Sequence, residues 1–451
     1  MTELYAVPHP LNDYLCRRFS CSCGREHYAD LRYVAVGPGV IRELPAFIQK
    51  GGYVSVCLVA DPTTAAVAGE KCLQLLRKAD IKAKLICLTN LAFDEATVGE
   101  VLLGVPADCD LMVAVGSGSI SDMTRFVSHR TGRPYCTVAT APSMDGYASS
   151  VAALHAAGMK VTLEAQTPQA VFGDTDVLKE APYHMIAAGL GDLLGKFTCI
   201  CDWKISRLIN GEHYCERLAG LVESCVDNVL ATANRAKDRD PQVVGHMMEG
   251  LVLAGVDMSL YGNSRPASGC EHQMSHYWEM LFAQQGRSPA LHGTQVGVGT
   301  VLVLKAAEAL LGRQVDFQAA RTAAQQYDPA VWEENIRAAY GNAADGIIAM
   351  ERTAQKNETT GRLRRIDAME RHWEEIRALL SALPSSRQVM ALLRLLDSPC
   401  LPAHIGVEGR LLKDTFLYCK EVRVRYTILQ LLWDLDLLEE IADQVISGLE
   451  E

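Results

Sequence analysis

Between Val54 and about residue 178, short apolar runs alternate with amphipathic stretches, and this alternation constrains the fold more than any other feature of the chain. VSVCLVA (54–60), KAKLICL (82–88), DLMVAVG (110–116), YCTVAT (135–140) and AVFGD (170–174) are each the length of a strand. Helical patterns over 64–77 and 120–130 lie between them. Strands interleaved with helices form βαβ units, and such units build a mostly parallel sheet covered by helices. Residues 154–165, with Ala157-Gly158 as a turn, read as a hairpin inserted before the last strand. After Pro182 the strand signal fades and helical periods take over at 183–209, 212–235, 241–260, 268–284 and 293–312, with more beyond residue 330. The expected fold is an α/β domain over 1–180 followed by an all-α domain over 181–451.

Composition removes several function classes. The chain has 451 residues, 49% of them apolar and 22% charged, so it can bury a core without disulfide or metal staples. Lys and Arg number 43 against 54 Asp and Glu, a net charge of −11 that repels a nucleic-acid backbone. A small anion held by a few local donors stays compatible with that charge. The longest unbroken apolar runs are strand-sized, and the N-terminal stretch lacks a signal-type apolar core, so no membrane span and a cytoplasmic location are expected. The fifteen cysteines are then expected as thiols, with Cys57, Cys87, Cys199 and Cys201 in apolar contexts.

Three constellations carry chemistry. Gly116, Ser117, Gly118, Ser119 and Ile120 leave a strand and open a helix, where glycines let backbone N–H groups approach a pyrophosphate. Asp61 ends an earlier strand on the same edge; it suits an adenosine ribose hydroxyl or, equally, the N-cap of the next helix. The second constellation is A139-T-A-P-S-M-D-G-Y-A-S-S150, rich in hydroxyls and carrying one acid, Asp145. Turn chemistry explains part of it, but its length points to a ligand.

The third joins Asp192, in G189-L-G-D-L-L-G-K196, to E271-H-Q-M-S-H276 and L291-H-G293. A set of oxygen and imidazole donors with one open position is the arrangement of a catalytic zinc. His272 and His276 share a helix face at i and i+4, so spacing alone offers them as a ligand pair as readily as any set with His292. Cys16, Cys21, Cys23 and His27 form a weaker group, because C-x-C is not the C-x₂-C spacing of zinc ribbons. His213, His246 and His404 stand alone. Gln355–Gly361 reads as an exposed loop, and the charge run Arg362–Arg371 as a solvated helix face.

GSGSISD, ATAPSMDGYASS, GLGDLLGK, SRPASGCEHQMSH and LHG together resemble the motifs of the bacterial sn-glycerol-1-phosphate dehydrogenases. These belong to the superfamily of iron-type alcohol dehydrogenases, glycerol dehydrogenases and dehydroquinate synthases. The likeness runs from about Val34 to about Leu310, and YCKEVRVRYTILQLLWDLDLLEE (418–440) also resembles the bacterial members.

The resemblance implies a Rossmann-like NAD(P)-binding domain and a helical metal- and substrate-binding domain; helical second halves of this kind often pair, so a homodimer is expected. It places NAD or NADP on Gly116, Ser117, Gly118, Ser119, Ile120, Thr140 and Ser143, with Ser149 near the nicotinamide and Asp61 near the adenosine. Asp192, His272 and His292 would hold one divalent metal, while Asp145, Asp192 and His276 would meet the substrate. Iron-dependent relatives carry a histidine one turn after the aspartate; here that position is Lys196, which favours zinc, with nickel second. Ser117 stands where many relatives have a second glycine, and leaves the choice between NAD and NADP open.

The implied reaction is reduction of dihydroxyacetone phosphate to sn-glycerol 1-phosphate, with Arg265 and Lys196 as the cations near the metal segment for the phosphate. Rival readings are a glycerol dehydrogenase, a dehydroquinate synthase-like lyase and a nucleotide-binding protein without catalysis. Ser117→Arg fills the space a pyrophosphate needs; dinucleotide affinity measured by fluorescence titration is expected to collapse while metal content stays unchanged.

Overall fold

The computed structural model describes residues 14–156 and 159–449. A short hairpin comes first, β1 (Phe19–Ser20) antiparallel to β2 (Glu26–His27). The main sheet then uses β3 (Tyr33–Gly37), β4 (Ser55–Ala60), β5 (Lys82–Cys87), β6 (Leu111–Gly116), β7 (Tyr135–Ala139) and, later in the chain, Ala170–Asp174. Between the last two, β8 (Val151–Ala156) pairs antiparallel with β9 (Met159–Glu164). The Ala157-Gly158 turn expected there lies outside the described residues. With Ala170–Asp174 as β10, the sheet order is β3-β10-β7-β6-β4-β5 and every pair is parallel.

Residue type explains this order. β4, β6, β7 and β10 are buried along their whole length, as apolar runs covered on both faces must be. At the edge, β5 reads KAKLIC, and its outward lysines discourage further pairing. Cys87, expected in an apolar context, ends this edge strand and is exposed. Val56, Leu58, Val113 and Phe172 face one core layer with Ile41, Leu44 and Leu76. Cys57, Val59, Met112 and Ala114 face the other with Ile120, Met123 and Val127. Because the strands are parallel, Asp61, Gly116 and Thr140 all emerge at one edge of the sheet, the carboxyl edge where ligands of open α/β sheets bind.

The helices that matter below are α1 (Gly118–Arg130), α2 (Tyr183–Asn210), α3 (Glu216–Thr232), α4 (Pro241–Tyr261), α5 (Cys270–Gln284) and α6 (His292–Leu311). The chain forms two compact units. One runs through Leu193 and takes in Gly220–Ser264; the other comprises Leu194–Ala219 and everything from Arg265. A single cut at residue 180 therefore differs from this division, which passes inside α2 and α3, both unbroken helices. Periodicity finds where helices start but not which sheet they pack against: α4 rests on the α/β unit, as Gly245 against Val36 and Thr175 shows. The second unit's core gathers Ile205, Trp278, Leu302, Phe416 and Leu431.

By length and hydropathy α4 and α6 could each cross a membrane (mean hydropathy 1.3 and 1.4), but 78% of each apolar window is buried within the fold, as in core helices.

Two expectations fail in the second unit. Within Gln355–Gly361, Lys356 and Asn357 are buried, Lys356 against Glu421 at 2.7 Å. In the following helix, Arg362 and Arg365 point inward: Arg365 makes a two-pronged pair with Asp434, both bonds 2.7 Å, and Arg362 donates to the Trp433 carbonyl. The acid that neutralises them lies about seventy residues on, beyond the reach of a local charge pattern. Asp434→Ala leaves two buried guanidinium groups uncompensated; a loss of about 3–5 kcal/mol is expected in urea unfolding.

Candidate active site

The glycine loop behaves as its residues require. Gly116 ends β6, and a Cβ there would lie 2.5 Å from Cβ of Ile120, so no larger residue fits. Ser117 sits at the N-cap of α1 without a side-chain cap bond, so the backbone N–H groups of Gly118, Ser119 and Ile120 face outward as a ready anion site. Asp61 caps its own helix: its Oδ1 accepts the Thr64 N–H at 2.8 Å, and its N–H donates to Thr64 Oγ1 at 3.0 Å. The cap reading is therefore real, and it leaves Asp61 at the same sheet edge as Gly116.

The hydroxyl-rich loop is held by a residue the sequence reading passed over. Arg125, fully buried on α1, donates to Tyr135 Oη at 2.6 Å and to the carbonyls of Gly146, Tyr147 and Val151, and pairs with Asp122. One guanidinium thus pins the loop's far half to α1. Its only sequence signal is a lone arginine on an apolar helix face. The near half leans on α2, where a Cβ on Gly189 would fall 1.8 Å from the Pro142 carbonyl oxygen. On the other side, α4 closes in through Gly255, where a Cβ would fall 2.9 Å from the Asp145 carbonyl oxygen, and through Ser259, whose Oγ donates to the Ala148 carbonyl at 3.0 Å. Thr140, Ser143, Asp145 and Ser149 are all nearly buried within this grip. The Asp145 N–H donates to Asp192 Oδ2 at 2.9 Å, which ties the loop to the acid of α2.

The second unit assembles the histidines. His272 and His276 lie on α5 and His292 opens α6; ring centroids are 5.2 Å apart for His272 and His292, and 5.7 Å for His276 and His292. His272 Nδ1–H donates to Glu271 Oε1 at 2.7 Å. That carboxylate also accepts from Thr198 Oγ1 (2.6 Å) and the Gly269 N–H (2.7 Å). Burial pushes the Glu271 carboxyl up, yet these donors hold it below its usual range. His292 Nδ1 lies 3.2 Å from Ser275 Oγ, with Glu279 3.6 Å away. Both rings therefore engage a polar partner through Nδ1, as metal-binding histidines do when Nε2 is the donor to the ion.

His276 differs. Its Nδ1 faces Glu279 at 3.4 Å, and its Nε2 accepts from Arg423 at 3.5 Å. Burial drives this imidazole down to about 3; Glu279 opposes the fall and the Arg423 charge adds to it. It is a neutral ring with both nitrogens engaged.

Asp192 is fully buried. It rides on the same unbroken α2 as Gly195, one turn before Lys196, where Gly195 abuts Val296 of α6 and Glu271 of α5. Its carboxylate accepts the Asp145 N–H, so the acid expected for the metal also holds the hydroxyl-rich loop.

The cations expected for a phosphate are committed elsewhere. Arg265 is buried and forks onto Glu212 with two 3.0 Å bonds, while also donating to the Asp202 and Tyr426 carbonyls. Lys196 Nζ, likewise buried, donates to the Ala267 carbonyl at 2.9 Å. Instead the segment VRVR (422–425) brings Arg423 to His276, and Arg425 to the Ser268 carbonyl at 3.0 Å. Burial holds both guanidinium groups below their usual range, and for Arg425 the neighbouring Arg423 and Arg265 charges deepen the fall.

A parallel sheet with a glycine loop at its carboxyl edge, followed by histidine-bearing helices, is the fold of the iron-containing alcohol dehydrogenases. The model of that family matches residues 35–182. Solved structures agree in fold: a probable glycerol dehydrogenase from Sinorhizobium meliloti (TM-score 0.59, 15% identity, 92% of this chain and 98% of that one) and a sulfoacetaldehyde reductase from Bifidobacterium kashiwanohense in complex with NAD+ (TM-score 0.59, 14% identity, 94% and 98%). Among curated relatives, a glycerol-1-phosphate dehydrogenase (NAD(P)+) from Halalkalibacterium halodurans is 38% identical over 63% of this chain and 72% of its own length. One from Geobacillus stearothermophilus is 31% identical over 93% and 96%. The chain belongs to this family of NAD(P)-dependent glycerol-1-phosphate dehydrogenases.

Gly189→Ala forces the Pro142 carbonyl off α2. The expected result is about 1–3 kcal/mol of lost stability in urea unfolding, and weaker NADH binding by fluorescence titration.

Proposed function

We propose that the protein reduces dihydroxyacetone phosphate to sn-glycerol 1-phosphate with NADH or NADPH, assisted by a divalent metal on Asp192, His272 and His292. The observation that carries the metal is the Nδ1 anchoring of both histidines, His272 on Glu271 and His292 on Ser275 beside Glu279, which presents two Nε2 donors. Two imidazoles and a carboxylate suit zinc, and nickel accepts the same set. Bound there, the ion supplies Lewis-acid polarisation of the ketone oxygen, and the dinucleotide supplies the hydride.

The chain's own residues do the rest. Gly118, Ser119 and Ile120 offer N–H groups to the pyrophosphate, and Thr140, Ser143 and Ser149 line the path toward the nicotinamide. Asp61, although it caps its helix, remains placed for the adenosine ribose. Asp145 orients substrate hydroxyls. His276 is a neutral relay that gives up a proton at one nitrogen as it gains one at the other, so no charged imidazole needs to be buried. Arg423 and Arg425 take the substrate phosphate, in place of Arg265 and Lys196. Two half-buried cations whose charge the local setting disfavours gain from a dianion, and a guanidinium fork matches phosphate oxygens.

Oxidation of NADH and NADPH with dihydroxyacetone phosphate and with dihydroxyacetone tests this, before and after EDTA. Turnover of the phosphorylated ketone alone, lost on chelation and restored by zinc or nickel, is expected. His272→Ala should lose metal and activity together. His276→Ala should keep the metal and lose about 10²–10⁴-fold in kcat. Arg423→Ala should raise KM for the phosphorylated ketone about 10–100-fold. Equal turnover of the free ketone would overturn the phosphate assignment, and activity untouched by chelation would overturn the metal.

A further inference from the structure

The N-terminal hairpin has too little apolar surface to hold itself together. Its strands are two residues each, where isolated hairpins far longer are marginal in water. Phe19 packs on Tyr14 and on the His27 ring, with centroids 5.3 and 5.4 Å apart, and little else apolar belongs to it. Yet its turn is sharply defined: the Cys21 N–H donates to the Arg25 carbonyl, the Gly24 N–H donates to the Cys21 carbonyl, both at 3.0 Å, and Gly24 takes the left-handed conformation.

What the turn gathers is a donor set. One ligand atom each from Cys21, Cys23 and His27 lies within 4.8 Å of the others. Cys23 Sγ stands 3.2 Å from His27 Nε2. Donors on a tetrahedral zinc with Zn–S near 2.3 Å and Zn–N near 2.0 Å are separated by roughly 3.5 Å, so the pair is already near ligand spacing. His27 is buried, and its Nδ1–H donates to the Leu260 carbonyl at 2.8 Å. That bond satisfies an end carbonyl of α4 and fixes the tautomer that turns Nε2 toward the thiols.

We infer that Cys21, Cys23 and His27 form a zinc-binding site, separate from the dehydrogenase centre, that pins the hairpin through His27 to the end of α4. Two thiolates and one imidazole are donors that zinc favours, and the ion would supply the cohesion that the hairpin's small apolar surface does not. The weak C-x-C spacing is no obstacle, because the turn folds the two thiols and the imidazole donor to within 4.8 Å of one another.

Cobalt substitution tests it on the intact wild-type protein. Only thiolate ligands give a sulfur-to-cobalt charge-transfer band in the near ultraviolet, and Asp192, His272 and His292 include none. The wild type is expected to show this band and to carry two metal equivalents per chain. Cys23→Ser and His27→Ala should each lose one equivalent and the band while the dehydrogenase metal remains. His272→Ala should keep the band, so failure of the reductase reading would leave this site standing. A cobalt-loaded wild type without the band, or a band that survives in the Cys21→Ser/Cys23→Ser double variant, would overturn the inference.

Discussion

Close backbone approach along α2 is the constraint on which the candidate site depends. Three glycines make it physical. Gly189 admits the Pro142 carbonyl of the hydroxyl-rich loop, Gly195 admits Val296 and Glu271, and Gly269 packs on Cys199 with its would-be Cβ 2.6 Å from that residue's Cα. Gly299 of α6 repeats the device against the Glu271 carbonyl. Side chains at these positions would separate the helices by at least a methyl group. The acid of α2 would then lose its tie to the hydroxyl-rich loop, and the imidazoles of α5 and α6 would stand apart from each other.

The charges inside this packing are held by specific partners. Glu271 is buried and kept ionised by a hydroxyl, a backbone N–H and an imidazole. Arg125 is satisfied mostly by carbonyls, Arg265 by Glu212, and Arg365 by Asp434. Replacing any one of these partners exposes the other to the full cost of burial. In the VRVR segment Arg423 donates to His276 and Arg425 to the Ser268 carbonyl, while burial disfavours the charge of both guanidinium groups.

Much of this was legible in the sequence for identifiable reasons. Apolar runs of strand length, covered on both sides, announce a parallel sheet. Clustered small residues at strand exits announce its working edge. His272, His276 and His292 stand out because imidazoles seldom gather on apolar helices, but spacing could not say which pair binds and which relays. Hydrogen bonds distinguish the rings: His272 leans on Glu271 and His292 lies beside Ser275, whereas His276 meets Arg423. Arg265 and Arg423 show the limit most clearly. Both are arginines near the histidine segment, and only the position of Glu212, over fifty residues before Arg265, tells which of the two is forked onto a carboxylate. The same limit misread Arg362 and Arg365 as a wet helix face, since amphipathic period describes where side chains point but not which acid waits there.

The hydrogen bond from the Asp145 N–H to Asp192 Oδ2 joins the hydroxyl-rich loop, proposed to face the dinucleotide, to the acid proposed for the metal. A carboxylate oxygen that feels a nearby cation changes its strength as an acceptor, and the loop it holds must respond. By thermodynamic linkage, whatever factor occupancy of one site adds to affinity at the other is returned unchanged in the opposite direction. Two ligands with no contact between them would then load as a cooperative pair, and depletion of either from the cell would loosen the protein's hold on both.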